Sequence, residues 1–257
     1  MTKKPLAFAT WLAYHRERCG IARFYIRVED TPELSTLLAT PPWDECVQAI
    51  YSHGQRDYFQ QMDRQDAHIS SILQDARANG IEYLLHIDDD ELLYCPSGLN
   101  TLYAAFVRAP PDAADLHVCN LEALLPRAEV IDPFREAHNF RHKPNDFCAY
   151  GNGKSFGKLS AADLRPAGPH HFARGWNSAG SKTAGTHDLP PSTAVVLHYE
   201  SGNIDAWRRK YSDLATRHAG SEHVSHRAPS SFYAESMAAM AEVLAANRAG
   251  DAARVAQ

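Results

Sequence analysis

The segment His86-Ile87-Asp88-Asp89-Asp90-Glu91-Leu92-Leu93 sets four consecutive acids directly behind the apolar run Tyr83-Leu84-Leu85. Burying an unpaired carboxylate is costly, and neighbouring carboxylates repel. A folded chain therefore leaves such a cluster at the wet end of a buried strand or supplies a cation. In extended backbone the side chains alternate, so Asp88 and Asp90 are expected on one side and Asp89 on the other. Two carboxylates on one side of a strand end suit a hard divalent ion with oxygen ligands. A solvated acidic turn closing the strand fits the same spacing, and short acidic motifs are often no more than that.

The 257 residues suffice for one large domain or two small ones. With 44% hydrophobic residues, a core is available without disulfides or structural metal. The net charge of -5 argues against broad electrostatic binding to nucleic acid, which requires a basic face. Cys19, Cys46, Cys95, Cys119 and Cys148 are scattered, with no Cys-x-x-Cys pair. They read as small buried hydrophobes in a reducing compartment. No run approaches the roughly 20 apolar residues of a membrane span. Lys3 and Lys4 precede a stretch that lacks the apolar region and small-residue cleavage site of a secretory signal. The expected location is cytoplasmic, or peripheral at a membrane surface.

The spacing predicts a helix over Thr10 to Arg18, a strand over Arg23 to Val28, and a short helix after Thr31-Pro32, with Thr31 as its cap. A second strand follows near Cys46 to Tyr51. A long helix runs from about Asp57 to Asn79, with Tyr58, Met62, Ile69, Ile72, Leu73 and Ala76 at helical spacing and Gly80 as the stop. Leu99, Leu102, Tyr103 and Phe106 mark another helix, and Leu116 to Leu121 another strand. Residues from Pro126 to Pro191 are rich in Gly, Pro, His, Asn and Arg, and read as irregular functional loops. Ala194 to Leu197 is a buried-type strand ending at His198. Helices follow around Trp207 and from Phe232 to Arg248. Strands alternating with helices imply βαβ units in a mainly parallel sheet, with ligands beyond the strands' carboxyl ends. Glu29-Asp30, Asp88 to Asp90 and His198 all fall at such ends.

Trp11-Leu12-Ala13-Tyr14-His15, Phe24-Tyr25-Ile26, His86 to Leu92, Gly153-Lys154-Ser155 and Leu197-His198-Tyr199, with Trp207 and Lys210 downstream, come in a telling order. Together they resemble the GT-A-fold glycosyltransferases, most closely the family 2-like and family 92-like groups. The resemblance covers residues 6 to about 215. It implies an α/β, GT-A-like (Rossmann-like) domain over residues 1–220, an irregular acceptor-side region, and a helical tail over 221–257.

The resemblance further implies a metal-dependent transfer of a sugar, a hexose in particular. The donor would be a UDP- or GDP-sugar, and the acceptor a hydroxyl of a glycan, lipid or protein. Asp88 and Asp90 match the family's D-x-D, and His198 its late histidine, so these three would hold Mn²⁺ or Mg²⁺. One imidazole among carboxylates favours manganese somewhat. Glu29, Asp30, Gln65, Asp88, Asp89, Lys154 and His171 would line the donor site. For Glu29 and Asp30 a dipole-favoured place at a helix start fits equally. Gln65 reads equally as solvated polar face, and Lys154 as turn lysine. His170, His171, Phe172 and Trp176 would offer faces to a sugar ring. Candidate bases for an inverting transfer are Glu122 and Asp188.

Other motifs fall short. Gly151-Asn152-Gly153-Lys154-Ser155 is no P-loop, because Cys148 stands where the first glycine is required. His138 and His142 have helical metal spacing but no third ligand. The chain has no Gly-x-Ser-x-Gly or His-Glu-x-x-His. The family also opens with a strand ahead of the Trp-Leu-x-Tyr-His helix. Only five residues precede Leu6, so that strand is expected to be missing here. This keeps two alternatives open: a catalytically silent GT-A-like domain that binds carbohydrate or protein, and a metal-dependent nucleotidyl or phosphoryl transferase.

Overall fold

A computed structural model of the protein describes residues 1–53, 60–175, 185–218 and 231–255. The expected helical position Tyr58 and the loop residue Trp176 lie outside the described residues. The chain forms two compact units, Met1–Leu121 with Gly151–His198, and Glu122–Tyr150 with Tyr199–Gln257.

The first unit opens with α1 (Phe8–Glu17), which buries Phe8, Trp11, Leu12 and His15 along one stripe. Strand β1 (Phe24–Glu29) pairs in parallel with β2 (Val47–Ser52), Phe24 opposite Val47 and Glu29 opposite Ser52. Between them lies the five-residue α2 (Leu34–Leu38). The Thr31 hydroxyl does not cap it but turns back to the Glu29 carbonyl at 2.8 Å. Helix α3 (Gln61–Ala78) buries Ile69, Ile72, Leu73 and Ala76, and Gly80 ends it in the left-handed conformation, at φ 70°. Strands β3 (Tyr83–Leu85) and β4 (Glu91–Tyr94) flank the acids, and α4 (Leu99–Arg108) follows.

A four-stranded sheet runs in the order β11 (Thr186–Asp188), β5 (Asp115–Val118), β8 (Lys154–Lys158), β3. Strand β8 is antiparallel to both of its neighbours, and β11 is parallel to β5. Strand β12 (Val195–His198) is antiparallel to β4, which sets His198 opposite Glu91. Strands β9 (Leu164–Ala167) and β10 (His171–Arg174) form a hairpin. Leu93, Leu102, Leu116, Val118, Phe156 and Val196 centre one apolar core, while Ile69, Leu73, Leu164 and Phe172 centre another. The fold is thus α/β. Strand pairs β1–β2 and β5–β11 are parallel, whereas β3–β8, β5–β8, β4–β12, β9–β10 and, in the second unit, Asn120–Leu124 with Asn139–Arg141 are antiparallel, so the sheets are mixed and the expected mainly parallel sheet is not shown.

The stretch expected to be irregular supplies five strands, including the interior strand β8. Its polar and glycine-rich sequence hid it. Lys154 and Ser155 are buried because they meet polar partners, and Gly157 packs where a Cβ would lie 2.8 Å from the Phe172 ring. Gly153 enters the strand at φ 62°, and a Cβ there would stand 2.0 Å from the Val118 carbonyl oxygen. Ahead of α1, where a strand is expected to be missing, the described residues form one bridge. Thr2 N–H donates to the Arg27 carbonyl, and the Thr2 carbonyl accepts from Glu29 N–H, both at 2.8 Å, in parallel sense with Val28.

In the second unit, the end of β6 (Asn120–Leu124) pairs with β7 (Asn139–Arg141), Glu122 opposite Arg141. The short α5 (Pro133–Glu136) has Asp132 as its side-chain cap and Pro133 at its first turn. Helices α6 (Ile204–His218) and α7 (Ser231–Val255) pack together, with Trp207 Nε1 donating to Ser236 Oγ at 3.2 Å. Among the described residues, no helix is long and apolar enough to cross a membrane.

Candidate functional site

The acids lie in the turn that joins β3 to β4. Glu91 N–H donates to the Asp88 carbonyl at 3.2 Å, so the segment bends instead of running extended. The expected alternation therefore does not hold, and each aspartate has its own partner. Asp88 accepts from Lys154 Nζ at 2.5 Å and from Gln65 Nε2 at 3.2 Å. Asp89 accepts from the Thr2 hydroxyl. Asp90 Oδ2 stands 3.7 Å from His198 Nε2. Glu91 is fully buried, accepts the Asp88 N–H at 2.8 Å, and lies 3.5 Å from Lys154 Nζ.

The helix motif around Trp11 holds this turn. Trp11 Nε1 donates to the carbonyls of Glu91 (2.7 Å) and Asp88 (3.1 Å). One turn on, His15 bridges helix and strand. Its Nε2 accepts Leu93 N–H at 3.2 Å, which leaves Nδ1 to donate to the Trp11 carbonyl at 2.9 Å. The two rings touch at 4.4 Å between centroids. Burial lowers the His15 pKa to about 4, although the Trp11 carbonyl works against this. The imidazole is therefore neutral, as its accepting role requires. The i, i+4 spacing of Trp11 and His15 was the signal for this clamp, and sequence reasoning gave these residues no role.

Lys154 supplies the cation that the acid cluster demands. Its side chain is wholly buried and also donates to the Pro169 carbonyl at 3.0 Å. Burial opposes its charge, but Asp88 and Glu91 outweigh burial and raise its pKa. Burial likewise pushes the Asp88 carboxyl up, and Lys154 overrides it and holds the group well below its ordinary range. At Asp89 the Thr2 hydroxyl and the N-terminal ammonium do not outweigh burial. Burial and the charge of Asp90 push it up to about 7. Glu91 is raised as well, chiefly by burial. Burial and Lys154 keep His86 neutral, and lower His170 to about 4.

Asp90 and His198 bring a carboxylate and an imidazole to ligand spacing at the tip of the acidic turn. An ion that holds ligand atoms at about 2.1 Å spaces them by roughly 3 to 4 Å, and the observed 3.7 Å fits. Asp88 fits less well, because an ammonium occupies one oxygen and an amide the other.

Comparison with known proteins gives the site a context. The chain is 26% identical over 252 residues to an Arabidopsis thaliana protein named glycosyltransferase-like, covering 80% of this chain and 52% of that protein. A second Arabidopsis thaliana protein of that description is 25% identical over 253 residues, covering 80% and 46%. The chain is similar to glycosyltransferase-like proteins. It spans about half the length of the curated relatives it matches. No family profile matches it, and no solved structure does.

Glu29 is buried and receives Arg27 Nε at 3.0 Å and Arg64 Nε and Nη2 at 3.0 and 3.2 Å. Burial raises its pKa, but the two guanidinium groups win and leave it lowered. Asp30 adopts φ 47° and pairs with Lys3 at 3.5 Å. His171 Nδ1 meets the buried Asp115 carboxylate at 3.0 Å, and its ring stacks on His117 at 4.9 Å. Because a carboxylate only accepts, Asp115 puts the proton on Nδ1 and leaves Nε2 basic in the neutral ring. Asp188 is largely exposed and meets His117 Nδ1 at 2.9 Å. Glu122, in the second unit, is buried and accepts from Arg141 Nη1 at 2.8 Å and from the N–H groups of Cys148 and Ala149 at 2.9 and 2.7 Å. Three donors on one carboxylate describe a structural anchor better than a proton acceptor.

Proposed function

We propose that the first unit is a glycosyltransferase domain. It would move a sugar, a hexose on the nearest reading, from a nucleotide-diphosphate donor to a hydroxyl of a glycan, lipid or protein. The approach of Asp90 to His198 carries this reading, since it joins a carboxylate and an imidazole at ligand spacing beside a buried ammonium. The glycosyltransferase-like relatives support it.

On this reading Asp90 and His198 hold Mn²⁺ or Mg²⁺, the imidazole favouring manganese. When bound, the ion neutralises the diphosphate as its bond to the sugar breaks. Lys154 fixes the Asp88 carboxylate and limits the negative charge of the turn, while Gln65 orients the second Asp88 oxygen. Asp88 and Asp89 would then be contacts for the nucleotide and its ribose. Trp11 and His15 hold the turn still, which is what preorganised binding requires. His171, oriented by Asp115, and Asp188 would be first-unit candidates to accept a proton from an acceptor hydroxyl.

A panel of UDP- and GDP-sugars scored for slow donor hydrolysis tests the reading without knowledge of the acceptor. Metal-dependent turnover of one donor that Asp90→Ala abolishes is expected. No turnover of any donor, with or without Mn²⁺, would contradict it.

One observation favours a second reading. The Lys154 ammonium already neutralises Asp88, the first acid of the D-x-D pattern. A domain that has replaced part of its metal site with a lysine would bind carbohydrate or protein without turnover, and its binding would be indifferent to metal.

A further inference from the structure

One end of the four-stranded sheet in the first unit carries a second polar cluster beside the acidic turn. Val118 of β5 stands opposite Lys154 of β8 there, and His117 opposite Ser155. The Lys154 ammonium that holds Asp88 at 2.5 Å also holds the Pro169 carbonyl at 3.0 Å. His170 Nδ1 donates to the Gly153 carbonyl at 2.8 Å. The segment that leads into β10 is thereby docked against the acids, and His171 is the first residue of that strand. His171 Nδ1 lies 3.0 Å from Asp115 Oδ2 and 3.5 Å from Ser155 Oγ. Asp115 is buried and also accepts from Thr186 Oγ1 at 2.9 Å and from Phe172 N–H at 3.3 Å, so its place is set independently of the histidine. The His171 side chain keeps 25% of its surface open to a ligand.

Taking the first unit as a glycosyltransferase domain, the reading on which this assignment rests, we propose that His171 Nε2 takes the proton of the sugar-accepting hydroxyl and that Asp115 is its positioning residue. The neighbouring groups are otherwise engaged. Asp188 and the Asn152 carbonyl face the two nitrogens of His117, at 2.9 and 2.7 Å, so neither nitrogen of that ring is open to a proton. Asp188 spends Oδ1 on His117 and is 60% exposed, so water competes for it. His170 is held at about 4 by burial and the Lys154 charge, too low for a base at neutral pH. The titratable groups facing His171 are Asp115 and the stacked His117 of β5, with His170 beside it in the chain. In the step itself, the acceptor O–H proton moves to the Nε2 lone pair as the oxygen bonds to the anomeric carbon. The bond from that carbon to the diphosphate oxygen breaks, and its electron pair leaves with the nucleoside diphosphate. Asp115 stabilises the imidazolium until the ring returns its proton to water.

The full chain is assayed with Mn²⁺ and the UDP- or GDP-sugar that it hydrolyses, and kcat, KM and nucleotide binding are read separately. His171→Gln is expected to lower kcat about a hundredfold or more, the scale of a lost general base, and to leave KM and nucleotide binding within about twofold. Asp115→Asn is expected to lower kcat and to move the acid limb of its pH profile to lower pH, because the ring loses the carboxylate that favours its protonated form. Should Asp115→Asn fail to fold, nitrogen NMR of the parent chain above that acid limb reads the tautomer, with the proton expected on Nδ1. Three results each overturn the proposal and leave the transferase reading standing: a proton on Nε2, a His171→Gln kcat within about threefold of the parent, or an unmoved acid limb in folded Asp115→Asn. A parent chain that turns over no donor overturns both.

Discussion

Lys154 and Asp88 form an ion pair, Nζ to Oδ2 at 2.5 Å, in which no part of the lysine side chain is exposed and the carboxylate is mostly covered. The pair answers the physical problem posed by four adjacent acids: the cation arrives from an interior strand of the sheet. Breaking one side of a buried pair costs far more than the pair contributes, because the remaining charge is stranded. Lys154→Met should therefore destabilise the protein by about 3–5 kcal/mol at pH 7. Urea unfolding measures this, and Asp88→Asn added to Lys154→Met should recover part of the loss. A Lys154→Met variant within about 1 kcal/mol of the parent would refute the pairing.

Acid should unfold this protein from the histidine side before it reaches Asp88. His15, His68 and His170 each lie at about 4 in the fold, below the ordinary 6.5. A histidine with a depressed pKa stabilises the fold above pH 6.5 and loses that contribution as the pH falls towards 4. Each contributes up to about 1.4 kcal/mol per pH unit inside that window. Asp89, held up at about 7, works in the opposite sense and offsets part of the loss. Asp88, depressed, keeps its contribution until the pH drops below the ordinary carboxylate range. Unfolding free energies between pH 7 and 4 should fall steeply, and the His15 imidazole should stay neutral by NMR down to about pH 4. A His15 titration near 6.5 would contradict the buried bridge.

The Trp11 clamp predicts a local effect. Trp11→Phe keeps an aromatic ring but removes the donor to two carbonyls, at an expected cost of about 1–3 kcal/mol. Hydrogen exchange should speed up first in Glu91 to Leu93, before the β1–β2 pair changes. Uniform loss of protection across the unit would show that the ring's packing, and not its N–H, sets the turn.

Much of the layout was legible from apolar spacing. The faces of α1 and α3, the strands β1 and β12, and the tail helix all follow periods that burial enforces. The polar interior was not legible. Strand β8 carries Lys154, Ser155 and Gly157, and each is buried for a tertiary reason: acids from another strand end, an imidazole from β10, and the Phe172 ring. The acidic turn showed the same limit. Alternation was the right rule for a strand, but the Asp88–Glu91 turn removed its premise and sent Asp88 and Asp90 to different partners. Asp115, directly ahead of Leu116-His117-Val118, carries no spacing signal of its own, yet it orients His171.

Glu122 separates an anchor from a base. Glu122→Gln keeps the shape but weakens three charge-assisted hydrogen bonds, so stability should fall by about 2 kcal/mol or more. Chemical unfolding of the variant measures it. Unchanged stability together with abolished donor turnover would restore Glu122 as a catalytic candidate.

On the proposed function, Asp90 and His198 form a cation site serving a nucleotide. Isothermal titration with UDP and GDP, each with and without Mn²⁺, tests it on the full chain and on Asp90→Ala. One nucleotide is expected to bind in a manner that requires Mn²⁺ and weakens at least tenfold in Asp90→Ala. Binding of equal strength with and without the metal, or in the variant, would contradict it.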